Sequence, residues 1–151
     1  MCLILFAWQQ HPEYSLVIAA NRDEYHARPS AAAHFWSDQP HILGGRDLQQ
    51  GGTWLGVTRW GRFAAVTNYR DPNHVVTPAI SRGWLVQEFL LGTESPSEYL
   101  CEVESCAERY NGFGLIVGNR GTIFRTLDGG QQWQRIRMVP QAPGKGISQV
   151  P

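Results

Sequence analysis

Apolar residues run almost unbroken over residues 2–8, and a second such run occupies 15–20. Between them lie His11, Pro12 and Glu13, a turn signal, so the two runs predict a hairpin of buried antiparallel strands. The second run stops at Asn21-Arg22-Asp23-Glu24, four polar residues placed where a rigid strand hands over to a reachable loop. Residues 27–52 are rich in Pro, Ala, Gly and His and read as a long ordered loop, a kind that is usually functional. Strand patterns at 53–58 and 62–68 flank Trp60-Gly61 and predict a second hairpin, followed by a polar break from Asn68 to Asn73.

The period then changes. Leu85 and Phe89 fall on one face of a helix over 81–91, with Gly92 as its stop. Ser95-Pro96-Ser97-Glu98 carries a capping box with Pro in the first turn, and predicts a second helix to about Tyr110. A strand over 113–118 follows, and 122–125 pairs with 133–136 through Asp128-Gly129-Gly130. In that hairpin Thr126, Asp128, Gly130 and Trp133 have Asp-box spacing, which in a single copy is a tight turn with a packed Trp. The whole predicts one α+β domain over 1–138 with a flexible tail at 139–151.

Composition narrows the function classes. A chain of 151 residues fits one domain, and 42% hydrophobic with 17% charged residues is globular. Lys plus Arg and Asp plus Glu balance at 13 each, so no overall field draws nucleic acid or an anionic membrane. No apolar run approaches the ~20 residues of a membrane span, and the short apolar start lacks a basic flank, so no signal peptide or integral membrane segment is expected. Three cysteines without framework spacing point to free thiols in a reducing, cytoplasmic compartment.

No cofactor is expected. His11, His26, His34, His41 and His74 lack metal-ligand spacing, and Cys101 and Cys106 fall on different helix faces, which favours core packing. Gly44-Gly45 and Gly51-Gly52 do not sit between a strand and a helix as a phosphate loop requires. The expected partner is a small-molecule substrate or ligand, and a homo-oligomer is compatible with this reading.

Cys2 is the residue with the most chemistry. A small second residue permits removal of Met1, which would put a thiol and an α-amine on one residue. An α-amine with a reference pKa of about 7.7–8.0 can accept the thiol proton near neutrality, so nucleophile and base coincide. The plain alternative is a strand cysteine that packs. Arg22 could stabilise the thiolate and Asp23 could orient an ammonium, the alternative being a solvated turn with a weak ion pair.

Several motifs then occur in order: Met1-Cys2 before a strand, Ala20-Asn21-Arg22-Asp23-Glu24, Arg28-Pro29, Phe35-Trp36, Leu43-Gly44-Gly45-Arg46-Asp47, Gly51-Gly52-Thr53-Trp54-Leu55-Gly56, Thr67-Asn68-Tyr69-Arg70 and Tyr110-Asn111-Gly112-Phe113-Gly114. Over residues 1 to about 120 the chain resembles the NRDE family, which includes the transport and Golgi organisation protein 2 homologues. That family in turn resembles the N-terminal-nucleophile hydrolases of the penicillin V acylase group. The resemblance implies an αββα sandwich of antiparallel sheets, incomplete toward the C-terminus because family members are usually longer. It implies Cys2 as nucleophile and base, Arg22 and Asp23 as its electrostatic partners and Asn68 as oxyanion donor. Asn21, Trp54 and Tyr69 are the candidate substrate-binding residues, with Trp36 and Trp54 weighed equally as pocket or core. The implied activity is hydrolysis of a small acyl amide through a Cys2 thioester. The alternative is a non-catalytic carrier or adaptor of the same fold in trafficking, lipid or haem handling.

Overall fold

A computed structural model describes residues 2–69, 75–119, 122–126, 132, 134–137 and 148–150. The first hairpin pairs β1 (Leu3–Trp8) with β2 (Leu16–Asn21), in a register running from Leu3 opposite Asn21 to Trp8 opposite Leu16. Its apolar runs are not buried on both faces as their continuity suggested. Ile4 and Phe6 point inward at 2% and 6% exposure, whereas Leu3 and Val17 remain 36% and 40% exposed. Only one face of this small sheet is covered, so burial follows the two-residue strand period. The segment expected to be a flexible tail supplies a third strand, β10 (Ser148–Val150), antiparallel to the other edge of β1. An open strand edge offers unpaired backbone groups to such a segment.

The expected loop at 27–52 is corrected more substantially. It contains β3 (Ser30–Phe35) and β4 (Ile42–Asp47), which extend a seven-stranded sheet in the order β3-β4-β5-β6-β7-β8-β9. The remaining strands are β5 (Leu55–Thr58), β6 (Arg62–Asn68), β7 (Phe113–Asn119), β8 (Thr122–Thr126) and β9 (Gln134–Arg137), every neighbour antiparallel. Alanine and glycine have weak strand preference, but here small size is what the packing needs. A Cβ on Gly44 would stand 2.9 Å from the Leu55 carbonyl oxygen. The Trp36 indole N–H donates to the Gly44 carbonyl at 3.0 Å and fixes the hairpin from within the core. The Asp-box residues Asp128, Gly130 and Trp133 lie outside the described residues, as do residues 70–73 of the polar break that begins at Asn68.

Helix α1 (Gly83–Leu91) begins two residues later than its periodicity suggested, and α2 (Pro96–Cys106) yields to a 3₁₀ turn over Ala107–Arg109 before the expected end. The capping box is formed: the Glu98 N–H donates to Ser95 Oγ at 3.3 Å and the Ser95 N–H to the Glu98 carboxylate at 2.8 Å. Both helices cover one face of the large sheet, where Leu85, Phe89, Leu90, Leu100 and Val103 pack on Ala64, Val66, Leu115 and Val117. On its other face Phe63, Ala65, Ile116 and Ile123 meet Ile4 and Phe6 of β1, with Phe6 and Phe63 edge to face at 5.5 Å. Each Leu, Val, Ile or Phe among them contributes about 1.5–3 kcal/mol of burial. Buried Arg62 donates to the carbonyls of Phe89 at 2.8 Å and Glu94 at 2.7 Å, tying the start of β6 to the end of α1. The described layers are therefore helices, large sheet, small sheet: an α+β arrangement of mostly antiparallel sheets. No helix among the described residues is long and apolar enough to cross a membrane.

Candidate functional site

The β1–β2 register ends at Leu3 opposite Asn21, so the next residues, Cys2 and Arg22-Asp23, meet just beyond the paired strands. There the Asp23 N–H donates to Cys2 Sγ at 3.3 Å. Asn68, the last residue of β6, donates its side-chain amide to the Asp23 carbonyl at 3.2 Å. The corner of the small sheet is thus fastened to the end of a strand in the large one, and an amide hydrogen bond of this kind contributes about 1 kcal/mol.

A second wall comes from β4 and the loop after it. The Arg28 guanidinium donates to Asp47 through two nitrogens, at 2.6 and 3.1 Å, with Glu24 at 3.7 Å from the same group. Asp47 also accepts the N–H groups of Gln49 at 2.9 Å and Gln50 at 3.3 Å. Burial alone would raise the Asp47 pKa, but Arg28 and these N–H groups outweigh it and hold the carboxyl below its ordinary range. The loop closes on α1 through Gly52 at φ +76°, where a Cβ would lie 2.6 Å from the Gly83 carbonyl oxygen. Thr53 N–H donates to that same carbonyl at 3.2 Å.

The third wall is the entry to α1. Arg82 donates from Nη1 to the Gly112 carbonyl at 2.8 Å. Burial lowers its pKa, partly offset by Glu24 and Cys2, while Arg28 pushes the same way as burial. Asn111 holds the opposite rim, accepting the Val76 N–H at 2.9 Å.

These walls enclose a cavity of about 270 Å³ that Cys2, Arg22, Asp23, Trp54, Asn68 and Arg82 help to line. A wider neighbour of about 620 Å³ opens over β3, β4 and β5 and shares Arg22, Glu24, Arg28 and Trp54 with it. Of the residues singled out from sequence, Asn21 and Tyr69 are not among those lining either cavity: Asn21 pairs with Leu3, and Tyr69 is exposed with its N–H donated to Gly112 at 3.0 Å. Trp36 belongs to the core, and Trp54 lines both cavities. Cys101 is exposed rather than packed, because α2 presents it to solvent, while Cys106 is partly buried against the helical core.

Arg28, Asp47 and Arg82 were not assigned a role from sequence. The first two stood in recognised motifs without a stated partner. Arg82 carried a signal of its own, a cation at a helix N-terminus, where the macrodipole disfavours it. Among the described residues no cluster of three or more His, Cys, Asp or Glu side chains is arranged to hold a metal ion. His41 instead stacks on Trp60 at 4.3 Å.

Comparison with known proteins gives consistent matches. The family profile described as Transport and Golgi organisation 2 matches residues 1–139, further than the 120 or so read from motifs. The Homo sapiens Transport and Golgi organization protein 2 homolog is 41% identical over 129 residues, 81% of this chain and 46% of its own length. The Bos taurus homolog is 40% identical over 126 residues, 79% of this chain and 45% of its own. The Drosophila melanogaster Transport and Golgi organization protein 2 is 34% identical over 154 residues, 95% and 52% respectively. The chain spans about half the length of the curated relatives it matches.

Proposed function

This chain belongs to the Transport and Golgi organisation 2 family, and from that premise and the surroundings of Cys2 we propose that it is an N-terminal-nucleophile-type protein that opens small acyl amides through a Cys2 thioester. The observation that carries this reading is the hydrogen bond from Asp23 N–H to Cys2 Sγ at 3.3 Å inside a ligand-sized cavity. That N–H donor fixes where the sulfur sits in the cavity wall.

The steps follow from the groups present. After removal of Met1, the Cys2 α-amine takes the thiol proton and the sulfur forms a bond to the amide carbonyl carbon. Asn68 keeps one side-chain N–H beyond the one it gives Asp23, and offers it to the oxyanion. The carbon–nitrogen bond breaks, the amine departs with the proton from the α-ammonium, and a thioester remains. Water then attacks that thioester, releasing the carboxylic acid and returning the thiol.

The test is intact mass after incubation with an activated ester, on chain whose N-terminal residue has been verified. An acyl adduct mapped to Cys2 and lost in Cys2→Ala supports the reading. Retention of Met1 in otherwise native protein, or no faster reaction at Cys2 than at Cys101 and Cys106, overturns it.

The wider cavity of about 620 Å³ favours a second reading, a carrier of the same fold without turnover. Its floor of Ala31, Ala32, Ala33, Leu43 and Val57 suits an apolar ligand. Binding of a hydrophobic fluorophore that survives Cys2→Ala, with no acyl adduct on the parent chain, would favour the carrier.

A further inference from the structure

We infer that Arg82 is the anion-binding residue of the Cys2 cavity, and that its ligand is a small amide bearing a carboxylate. The inference rests on Cys2 as the reacting centre, and adds the class of substrate. The cavity is lined by three arginines, two aspartates and one glutamate. Arg28 is already balanced by Asp47 at 2.6 Å and Glu24 at 3.7 Å. That leaves Arg22 and Arg82 with Asp23, in a wall whose three guanidinium groups and three carboxylates balance overall.

Of those two, Arg82 is the one built as a binding group. Its Nη1 is anchored on the Gly112 carbonyl at 2.8 Å, so the planar head has a set position with four further N–H donors. It makes no ion pair within 4.0 Å among the described residues, whereas Arg28, Arg46 and Arg62 each do. Burial works against its charge, with Glu24 and Cys2 acting only at longer range. A partly buried cation without a paired anion is unfavourable, and a bound carboxylate relieves that cost through charge-assisted hydrogen bonds. Arg22, in contrast, has no hydrogen bond holding its side chain among the described residues. A cavity of about 270 Å³ lies at the lower end of ligand sites, which suits a short acyl amino acid.

The test compares N-acetylglycine with its uncharged counterpart N-acetylglycinamide as protectants of Cys2 against iodoacetamide, followed by mass spectrometry. N-acetylglycine is expected to protect at about tenfold lower concentration, the value of one charge-assisted contact. Arg82→Gln should bring the two ligands level, and Arg82→Lys should retain part of the difference. Equal protection by both ligands in the parent chain, protection by neither, or undiminished preference in folded Arg82→Gln overturns the inference. The parent-chain comparison decides the matter even if the glutamine variant fails to fold. Carboxylate preference without any acyl adduct would remove the hydrolase reading and leave Arg82 as the binder. Acylation of Cys2 by charged and neutral amides alike would do the reverse.

Discussion

The backbone N–H of Asp23 faces the sulfur of Cys2 at 3.3 Å, just beyond the last paired residues of β1 and β2. Cys106, on α2, is partly buried against the helical core. Burial raises its pKa most, Arg109 opposes, and Glu88, Glu102 and Glu108 add to the rise. Site-resolved alkylation with iodoacetamide at pH 7 should therefore modify Cys2 about tenfold faster than Cys106. The Cys106 rate should keep climbing at pH values where an ordinary thiol has levelled off. Equal rates at the two sites would remove the special status of Cys2.

Asn68→Ala should act twice. Losing the 3.2 Å bond to the Asp23 carbonyl should cost about 1 kcal/mol in urea denaturation. Acylation at Cys2 should fall further, by about a hundredfold, if the same amide serves the oxyanion. A stability loss without a rate loss would make Asn68 a fastener only.

The Arg28–Asp47 pair sets an acid limb. Because the folded Asp47 pKa lies below its unfolded value, its contribution is complete above about pH 4 and disappears as pH falls through the lower folded value. Urea midpoints should be level from pH 8 to pH 5 and drop beneath about pH 4. Asp47→Asn should flatten that drop and cost about 2 kcal/mol at neutral pH, because Arg28 is left with Glu24 alone. An unchanged acid profile in the variant would show that other carboxylates dominate it.

Gly52→Ala should destabilise the fold by about 2–3 kcal/mol. A methyl group there meets the Gly83 carbonyl at 2.6 Å on a backbone with φ +76°. Thermal unfolding will read this directly. A loss under about 0.5 kcal/mol would mean that the 48–53 loop can move off α1 at little cost.

Much of the fold was legible because period and punctuation agreed. Strand β6 over 62–68 and the box at Ser95 and Glu98 stand where the pattern put them. Strands β3 and β4 were not, since Ala31, Ala32, Ala33, Gly44 and Gly45 carry no local strand signal and are held by distant neighbours. At the site, the nearness of Cys2 and Asp23 could be anticipated from the hairpin, whereas Asn68 came only with the family resemblance. The Arg28–Asp47 pairing and the Arg82–Gly112 contact could not, because each joins elements 19 or 30 residues apart that only tertiary packing brings together.

The hairpin tip has an influence its distance conceals. Gln9, at φ +51°, donates its N–H to the Ser15 carbonyl at 2.8 Å and closes the turn at the opposite end of β1 and β2 from the sulfur. Sliding β2 by a single position would turn its inward side chains outward and bring a different amide to Cys2. The identity of residues 10–14 is therefore nearly neutral for chemistry, whereas their number acts as a ruler for the reactive corner.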